Sequence, residues 1–272
     1  MLSPLLAHWR ERPQRTWSVV ITLFGDAIVP RGGTVWLGTL LDLFGAMGID
    51  AGAVRTALSR LVADGWTERE RIGRNSRYRL AEKGRDTFAT AAARIYAGQP
   101  PAWDGRMRLV LHPKDRATLT AGGWAQASPG LWIAPSRATP ATEPIAMDAT
   151  LDPAAARSLA AQAWPLDRLA ASFARFNNAF AALPDWQAPS PQDAMIARTL
   201  LIHEYRRIVL HGPDLPTEIL PPDWPGTKAL AVCRAAYAAV LPAAEQWLDS
   251  QDLPSADAAL SRRFQVDITE FT

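Results

Sequence analysis

Apolar positions in the first third of the chain recur at helical spacing. From Thr16 to Ala27, Val19, Val20, Leu23 and Phe24 build one face, and Pro30-Arg31-Gly32-Gly33 ends the run. From Val35 to Met47, Leu37, Leu40, Leu41 and Phe44 repeat the pattern up to Gly48. Asp50 then caps a third helix, with Ile49 at the staple position before it, and Asp64-Gly65 closes it. Beyond it the period changes to two. Trp66 to Arg69 and Arg77 to Leu80 alternate like strands around turn residues Arg71 to Ser76. The order predicts a helix-turn-helix followed by a basic β-hairpin, the plan of a winged helix.

An alanine-rich helix from Glu82 to Tyr96 leads to the breaker cluster Gly98-Gln99-Pro100-Pro101. After it the pattern predicts a strand over Gly105 to Leu111 and a short helix over Asp115 to Ala121. Strands follow around Trp124 to Ala127, Leu131 to Ala134 and Ile145 to Ala149, with a helix over Pro153 to Ala163. This order suggests a split βαβ or ferredoxin-like α/β unit. From Leu166 onward the periodicity is helical, over Leu166 to Leu183, Gln192 to Leu210, Gly226 to Leu248 and Ala256 to Phe264. The expectation is an α+β multidomain protein: a winged-helix domain with linking helix over 1–97, a ferredoxin-like domain over 98–164 and an all-α effector and dimerisation domain over 165–272.

Composition narrows the function. A chain of 272 residues with 48% hydrophobic and 21% charged residues is that of a globular protein. Cys233, the single cysteine, excludes an intramolecular disulfide and a cysteine-rich zinc site. With no signal peptide in the first thirty residues and no long apolar run, the expected location is the cytoplasm, away from membranes. The net charge of +2 is unevenly spread. Through Tyr96 there are 14 Lys and Arg against 9 Asp and Glu, and 13 of those cations are arginine; beyond Tyr96 the counts are 15 against 18. A basic first third on a mildly acidic remainder is the asymmetry of a nucleic-acid-binding module carried on a sensing or oligomerising body.

On the third helix Val54, Leu58, Leu61 and Val62 form the core stripe, which leaves Arg55, Thr56, Ser59 and Arg60 on the opposite face. Arg, Thr and Ser are the side chains that meet guanine edges, thymine methyls and phosphates in a major groove. In the hairpin Arg71, Arg74 and Arg77, beside Asn75 and Ser76, are placed to contact phosphates or the minor groove. Tyr78 is expected to pack the hairpin.

These residues resemble the PaaX family of phenylacetic-acid degradation repressors. The likeness rests on Val54-Arg55-Thr56-Ala57-Leu58-Ser59-Arg60-Leu61, Gly65-Trp66 and Gly73-Arg74-Asn75-Ser76-Arg77-Tyr78-Arg79-Leu80. It continues in His203-Glu204-Tyr205-Arg206-Arg207, Asp214-Leu215-Pro216 and Leu220-Pro221-Pro222-Asp223-Trp224-Pro225-Gly226. The resemblance implies a GntR-like winged helix, a ferredoxin-like domain and a helical domain. It also implies a homodimer on double-stranded operator DNA, released by an acyl-CoA-type effector, phenylacetyl-CoA in the best-known members. One departure is Ala81, where the family would place threonine at a helix cap.

The last motif bears several readings. His203-Glu204 begins like HExxH, but Arg207 stands where the second histidine would be, so the zinc-protease pattern fails. His203 and His211 could share a helix face, though two histidines without a third ligand read as structural. Arg206 and Arg207 could form salt bridges with Glu204, Asp214 or Glu218, or, with Tyr205 and Trp224, border an effector site. Trp224 also reads as a packing anchor for the proline-rich loop. No catalytic constellation appears, and no cofactor or metal is expected: Cys233 lies in an alanine-rich helix and Asp104 has no acidic partner nearby in sequence. The competing classes are an acyl-CoA-processing or nucleic-acid-cleaving enzyme tethered to DNA, and an effector-blind DNA-binding protein.

Overall fold

A computed structural model describes residues 2–11, 15–97, 102–143, 145–188, 190–257 and 263–264. It is a mixed α+β protein with helical N- and C-terminal regions and two antiparallel sheets. The described residues fall into two compact units, one drawn from Met1–Gly98, Phe176–Arg207 and Ala229–Thr272, the other from Gln99–Arg175 and Ile208–Lys228. Among them no helix is long and apolar enough to cross a membrane.

In the first unit α1 (Leu2–Arg10) precedes α2 (Thr16–Leu23), and the apolar run of α2 continues as a π-helix over Phe24–Ile28 and a 3-10 turn over Val29–Arg31. Gly25 lies inside the π-helix because the Phe88 ring presses on it; a Cβ there would stand 2.6 Å from the ring. Strand β1 (Thr34–Trp36) comes next, then α3 (Leu37–Ala46), α4 (Ala51–Ala63), β2 (Thr67–Ile72), β3 (Asn75–Leu80) and α5 (Glu82–Ile95). Helical spacing predicted helix from Val35; instead, Thr34 and Val35 are β-branched, Gly33 has a φ of +72°, and Val35 is buried opposite Tyr78 of β3. The resulting sheet has the order β1-β3-β2. Ala81 stands at the N-cap of α5 and makes no side-chain capping bond there.

The second unit holds β4 (Arg106–Leu111), α6 (Arg116–Ala121), β5 (Ala125–Ser128), β6 (Leu131–Pro135), β7 (Ala146–Thr150) and α7 (Pro153–Ala163). Its sheet is antiparallel with the order β5-β6-β4-β7. The strand alternation divides the packing. Met107 and Ile133 meet Ala156 and Ala160 of α7, whereas Val110 and Trp132 meet Leu119 of α6. The two helices therefore cover opposite faces of the sheet, and α7 follows the last strand. A ferredoxin-like unit would put both helices on one face and place a strand last, so the elements anticipated over 105–163 occur in the expected order but not in a ferredoxin-like arrangement.

The residues of α8 (Leu166–Phe180), α9 (Pro191–His211) and α10 (Pro225–Asp249) are divided between the two units. The stretch expected as a helical domain over 165–272 contributes residues to both units. Phe176–Arg207 and the chain from Ala229 join the residues of the predicted winged helix. The reason is electrostatic as well as apolar: Asp26 is buried and takes its partners from α9 and α10. The helix predicted over Ala256 to Phe264 falls largely on residues 258–262, outside the described residues, and Ala256 and Asp257 are not helical.

Candidate nucleic-acid interface

Helix α4 is fixed at both ends by local chemistry. The Asp50 carboxylate accepts from the Gly52 and Ala53 N–H groups at 2.7 and 3.3 Å. At the other end Gly65 adopts φ +73° while Trp66 N–H reaches Leu61 O and Gly65 N–H reaches Val62 O. That pair of bonds is a Schellman closure. Val54, Ala57, Leu58 and Leu61 are buried, and Arg55, Thr56, Ser59 and Arg60 are exposed on the other side. The four predicted side chains thus share one solvent-facing stripe. Arg55 has no hydrogen bond or ion pair among the described residues. Arg60 has two neighbours: its Nε lies 3.5 Å from Asp64 Oδ2, and its guanidinium stands 5.8 Å from the centre of the Trp17 ring on α2.

The hairpin is tighter than the sequence suggested. Ile72 pairs with Asn75, so the turn is only Gly73-Arg74, and Gly73 has the positive φ of +60° that a II′ loop needs at its first position. Arg71 and Asn75 are strand residues, and Arg74 is alone at the tip, exposed and without a partner among the described residues. The other arginines are engaged. Arg77 donates to Glu70 at 2.8 Å, and this bond holds the Glu70 carboxyl below the usual carboxylate range. Arg79 is paired with Glu68, Arg69 donates to Ser76 Oγ at 2.9 Å, and Arg71 donates to Gly73 O at 3.3 Å. Sequence reasoning missed Glu68 and Glu70. Their signal was available, since hairpin register puts each opposite an arginine. Tyr78 is buried, as expected of a packing residue.

The residues of the last motif are divided between the two units. Tyr205, Arg206 and Arg207 belong to the first unit and Trp224 to the second. Tyr205 is buried beside the Phe176 and Phe264 rings, and burial raises its hydroxyl pKa. Arg206 donates to Ser18 O at 3.0 Å and to Ser18 Oγ at 2.9 Å. Burial, then the neighbouring Arg207, lower its pKa to about 10. Arg207 is 41% exposed and lies 4.0 Å from Glu204. Of the expected acidic partners, Asp214 is bound by Arg137, and Glu218 receives the Trp103 N–H. Trp224 packs edge-on to Phe173 at 5.9 Å, the anchoring role anticipated for it.

His203 is fully buried with Nδ1 2.8 Å from Thr22 Oγ1, and burial followed by Arg206 and Arg207 lower its pKa to about 3. His211 is exposed and belongs to the second unit. No cluster of metal-ligating side chains occurs among the described residues. Cys233 is buried. Asp104 is occupied by the Ser136 hydroxyl and the Arg106 N–H.

The pattern missed a buried ionic network. Arg198 donates to Asp26 at 2.7 Å, to Glu245 at 2.5 Å and to the Tyr237 hydroxyl at 2.9 Å. Arg31 donates to the other Glu245 oxygen, and Tyr96 donates to Asp26. Each of these residues is unremarkable in its own segment. Only the packing of α9 and α10 beside the π-helix makes them a set.

The class defined by this architecture is a protein whose basic N-terminal portion presents arginines on one helix and one hairpin. Residues 15–84 match the PaaX-like protein family, and residues 164–250 match the PaaX-like protein C-terminal domain. The chain belongs to the PaaX-like family. It is 32% identical over 281 residues to the transcriptional repressor PaaX of Escherichia coli (strain K12), across 91% of this chain and 89% of that relative. The solved structure of uncharacterized protein Rv0674 from Mycobacterium tuberculosis matches with a TM-score of 0.57 at 24% identity. That match covers 86% of this chain and 97% of the other and is a likeness of fold alone.

Proposed function

We propose that the protein is a transcriptional repressor that binds double-stranded DNA as a homodimer, with β1, α3, α4, β2 and β3 acting as a winged helix-turn-helix. The observation that carries this reading is the stripe of Arg55, Thr56, Ser59 and Arg60, exposed opposite a buried face and followed by an arginine hairpin with Arg74 at its tip. In this reading α4 enters the major groove, Arg55, Thr56 and Ser59 meet base edges, and Arg74 with Arg71, Asn75 and Arg77 approaches the backbone or minor groove. Its Escherichia coli relative, a transcriptional repressor, supports the same assignment. The absence of any catalytic set from the sequence motifs favours regulation over catalysis.

The family resemblance supplies the second half of the proposal: control of an aromatic-acid catabolic operon, with release by an aryl-CoA thioester such as phenylacetyl-CoA. Arg207, partly exposed, is the cation of the motif offered to the effector phosphates, because Arg206 is committed to Ser18. The test is a gel-shift titration of the purified protein against DNA upstream of phenylacetate-catabolic genes, with and without phenylacetyl-CoA. A discrete complex that the thioester dissolves supports both halves. A complex indifferent to thioesters removes the effector, and sequence-independent binding alone refutes the repressor.

A further inference from the structure

We infer that the His203-Glu204-Tyr205-Arg206-Arg207 segment positions the DNA-reading surface, acting on Arg60 of α4 through α2. The inference rests on the assignment of α4 as the DNA-reading helix and adds residues that no DNA contact would reveal.

Two buried contacts and one half-buried contact join α9 to the helical run that begins with α2. Arg206 binds Ser18, His203 meets Thr22, and Arg198 binds Asp26. On one side the positions rise by four, Ser18, Thr22 and Asp26, which is one face of a helix. On the other they fall from Arg206 through His203 to Arg198. Partners rise on one helix as they fall on the other, as in an antiparallel pair held in a single register. The contacts are also interlocked: Thr22 Oγ1 lies 3.0 Å from Ser18 O, the oxygen that Arg206 also contacts. A buried polar pair satisfied in only one register penalises every other register, since sliding by one turn would leave the Asp26 carboxylate and the Arg198 guanidinium facing apolar side chains.

The ladder ends where DNA recognition begins. Ser18 is in the first turn of α2, and its neighbour Trp17 is the ring above which the Arg60 guanidinium stands at 5.8 Å. The Trp17 Nε1 is buried without a hydrogen-bond partner, so the indole is held there by packing and not by a polar bond of its own. Helix α2 packs on α4 along the same flank. Arg60 is otherwise a long exposed side chain; the indole beneath it and Asp64 beside it restrict its guanidinium to a small region at the C-terminal end of α4. A guanidinium restricted before binding loses less rotamer freedom when it meets a phosphate. Trp17 is thus a positioning residue for Arg60, and Arg206 is a positioning residue for Trp17.

The experiment is a double-mutant cycle on the full chain. Binding is read by fluorescence anisotropy with a duplex that the parent protein selects from a random library, and with a scrambled duplex of equal length. Trp17→Leu should weaken binding to the selected duplex by about two- to five-fold, the range of an exposed cation–π contact. In the Arg60→Ala background the same change should have little further effect, and Trp17→Phe, which keeps a ring, should stay near the parent. Arg206→Met should follow Trp17→Leu, and Arg206→Lys, which keeps a donor for Ser18 O, should recover most of the loss. Thermal melts identify any variant that fails to fold, and Ser18→Ala then replaces it as the milder cut of the same contact. Equal losses from Trp17→Leu with and without Arg60 overturn the inference, because a merely structural role would not depend on Arg60. If Arg55→Ala and Arg60→Ala both bind the selected duplex as the parent does, the assignment of α4 itself is wrong and the inference falls with it.

Discussion

Arg55 and Arg74 are arginines of the proposed interface with no hydrogen bond or ion pair among the described residues, and they test different kinds of contact. Arg55 projects from the N-terminal end of the exposed stripe of α4, where a base-edge contact is worth roughly 1–3 kcal/mol of discrimination. Arg55→Ala should therefore lower affinity for the operator while leaving random DNA almost unaffected. Arg74, at the tip of a two-residue turn, has the place of a phosphate contact. Its removal should weaken specific and random binding together and make the salt dependence shallower by about one counterion. Competition titrations at several salt concentrations separate the two outcomes. His203 offers a residue-scale test without DNA. Its pKa of about 3 lies below the unfolded value of 6.5, so between those pH values the unfolded chain binds the proton and the native state does not. Its stabilising contribution is complete above pH 6.5 and falls as the solution is acidified. Between pH 6.5 and 5 the stability advantage of the parent over His203→Gln should shrink by roughly 1–2 kcal/mol, measured by urea unfolding. A constant difference would show that the imidazole is protonated alike in both states.

At the scale of elements, the hairpin holds its charge in reserve. Glu68 and Glu70 neutralise Arg79 and Arg77 across the strands, so the basic wing presents fewer unpaired cations than its sequence counts. Glu70→Gln should release Arg77, tighten binding to random DNA and steepen the salt dependence by about one counterion; weaker binding would instead mean that the pair serves to hold the strands. The elements legible in the sequence were those whose signals are local. Asp50 and Gly65 delimit α4, the residues of α7 end where Asp152 and Trp164 cap it, and Gly73 marks the turn. What escaped depended on distant partners. Thr34–Trp36 is a strand only because β3 lies beside it. Asp26 is ordinary in sequence until Arg198, 172 residues later, meets it. The stripe on α4 could be read from periodicity because one helix carries all of it. The arrangement of Tyr205, Arg206 and Trp224 could not, because side-chain direction and unit membership are set by packing and not by nearness along the chain.

For the whole molecule, the proposed DNA-reading portion belongs to a discontinuous first unit that includes residues from the far end of the chain. Asp26 has a side chain only 2% exposed, and Arg198, Tyr237 and Arg263 come to it from the far end of the chain. Removing those partners leaves a buried carboxylate without its main cation, at a cost of about 3–5 kcal/mol, against a typical total stability of about 5–15 kcal/mol. It also uncovers the flank of α2 that Arg206 and His203 meet. A fragment of residues 1–97 should accordingly lack a cooperative thermal transition by circular dichroism and bind operator poorly. A fragment that melts cooperatively near the parent temperature would show that the C-terminal helices are dispensable to the head.

The same separation of 172 residues between Asp26 and Arg198 has a meaning in time as well as in space. A ribosome adds about 5–20 residues per second, so roughly ten to thirty seconds pass between synthesis of the carboxylate and synthesis of the guanidinium that neutralises it. From Arg77 onward the nascent chain carries every arginine of the proposed reading surface, but not yet the residues of α9 that meet α2. A chain broken off before α9 would lack the cation of its buried carboxylate and should compete poorly for the operator.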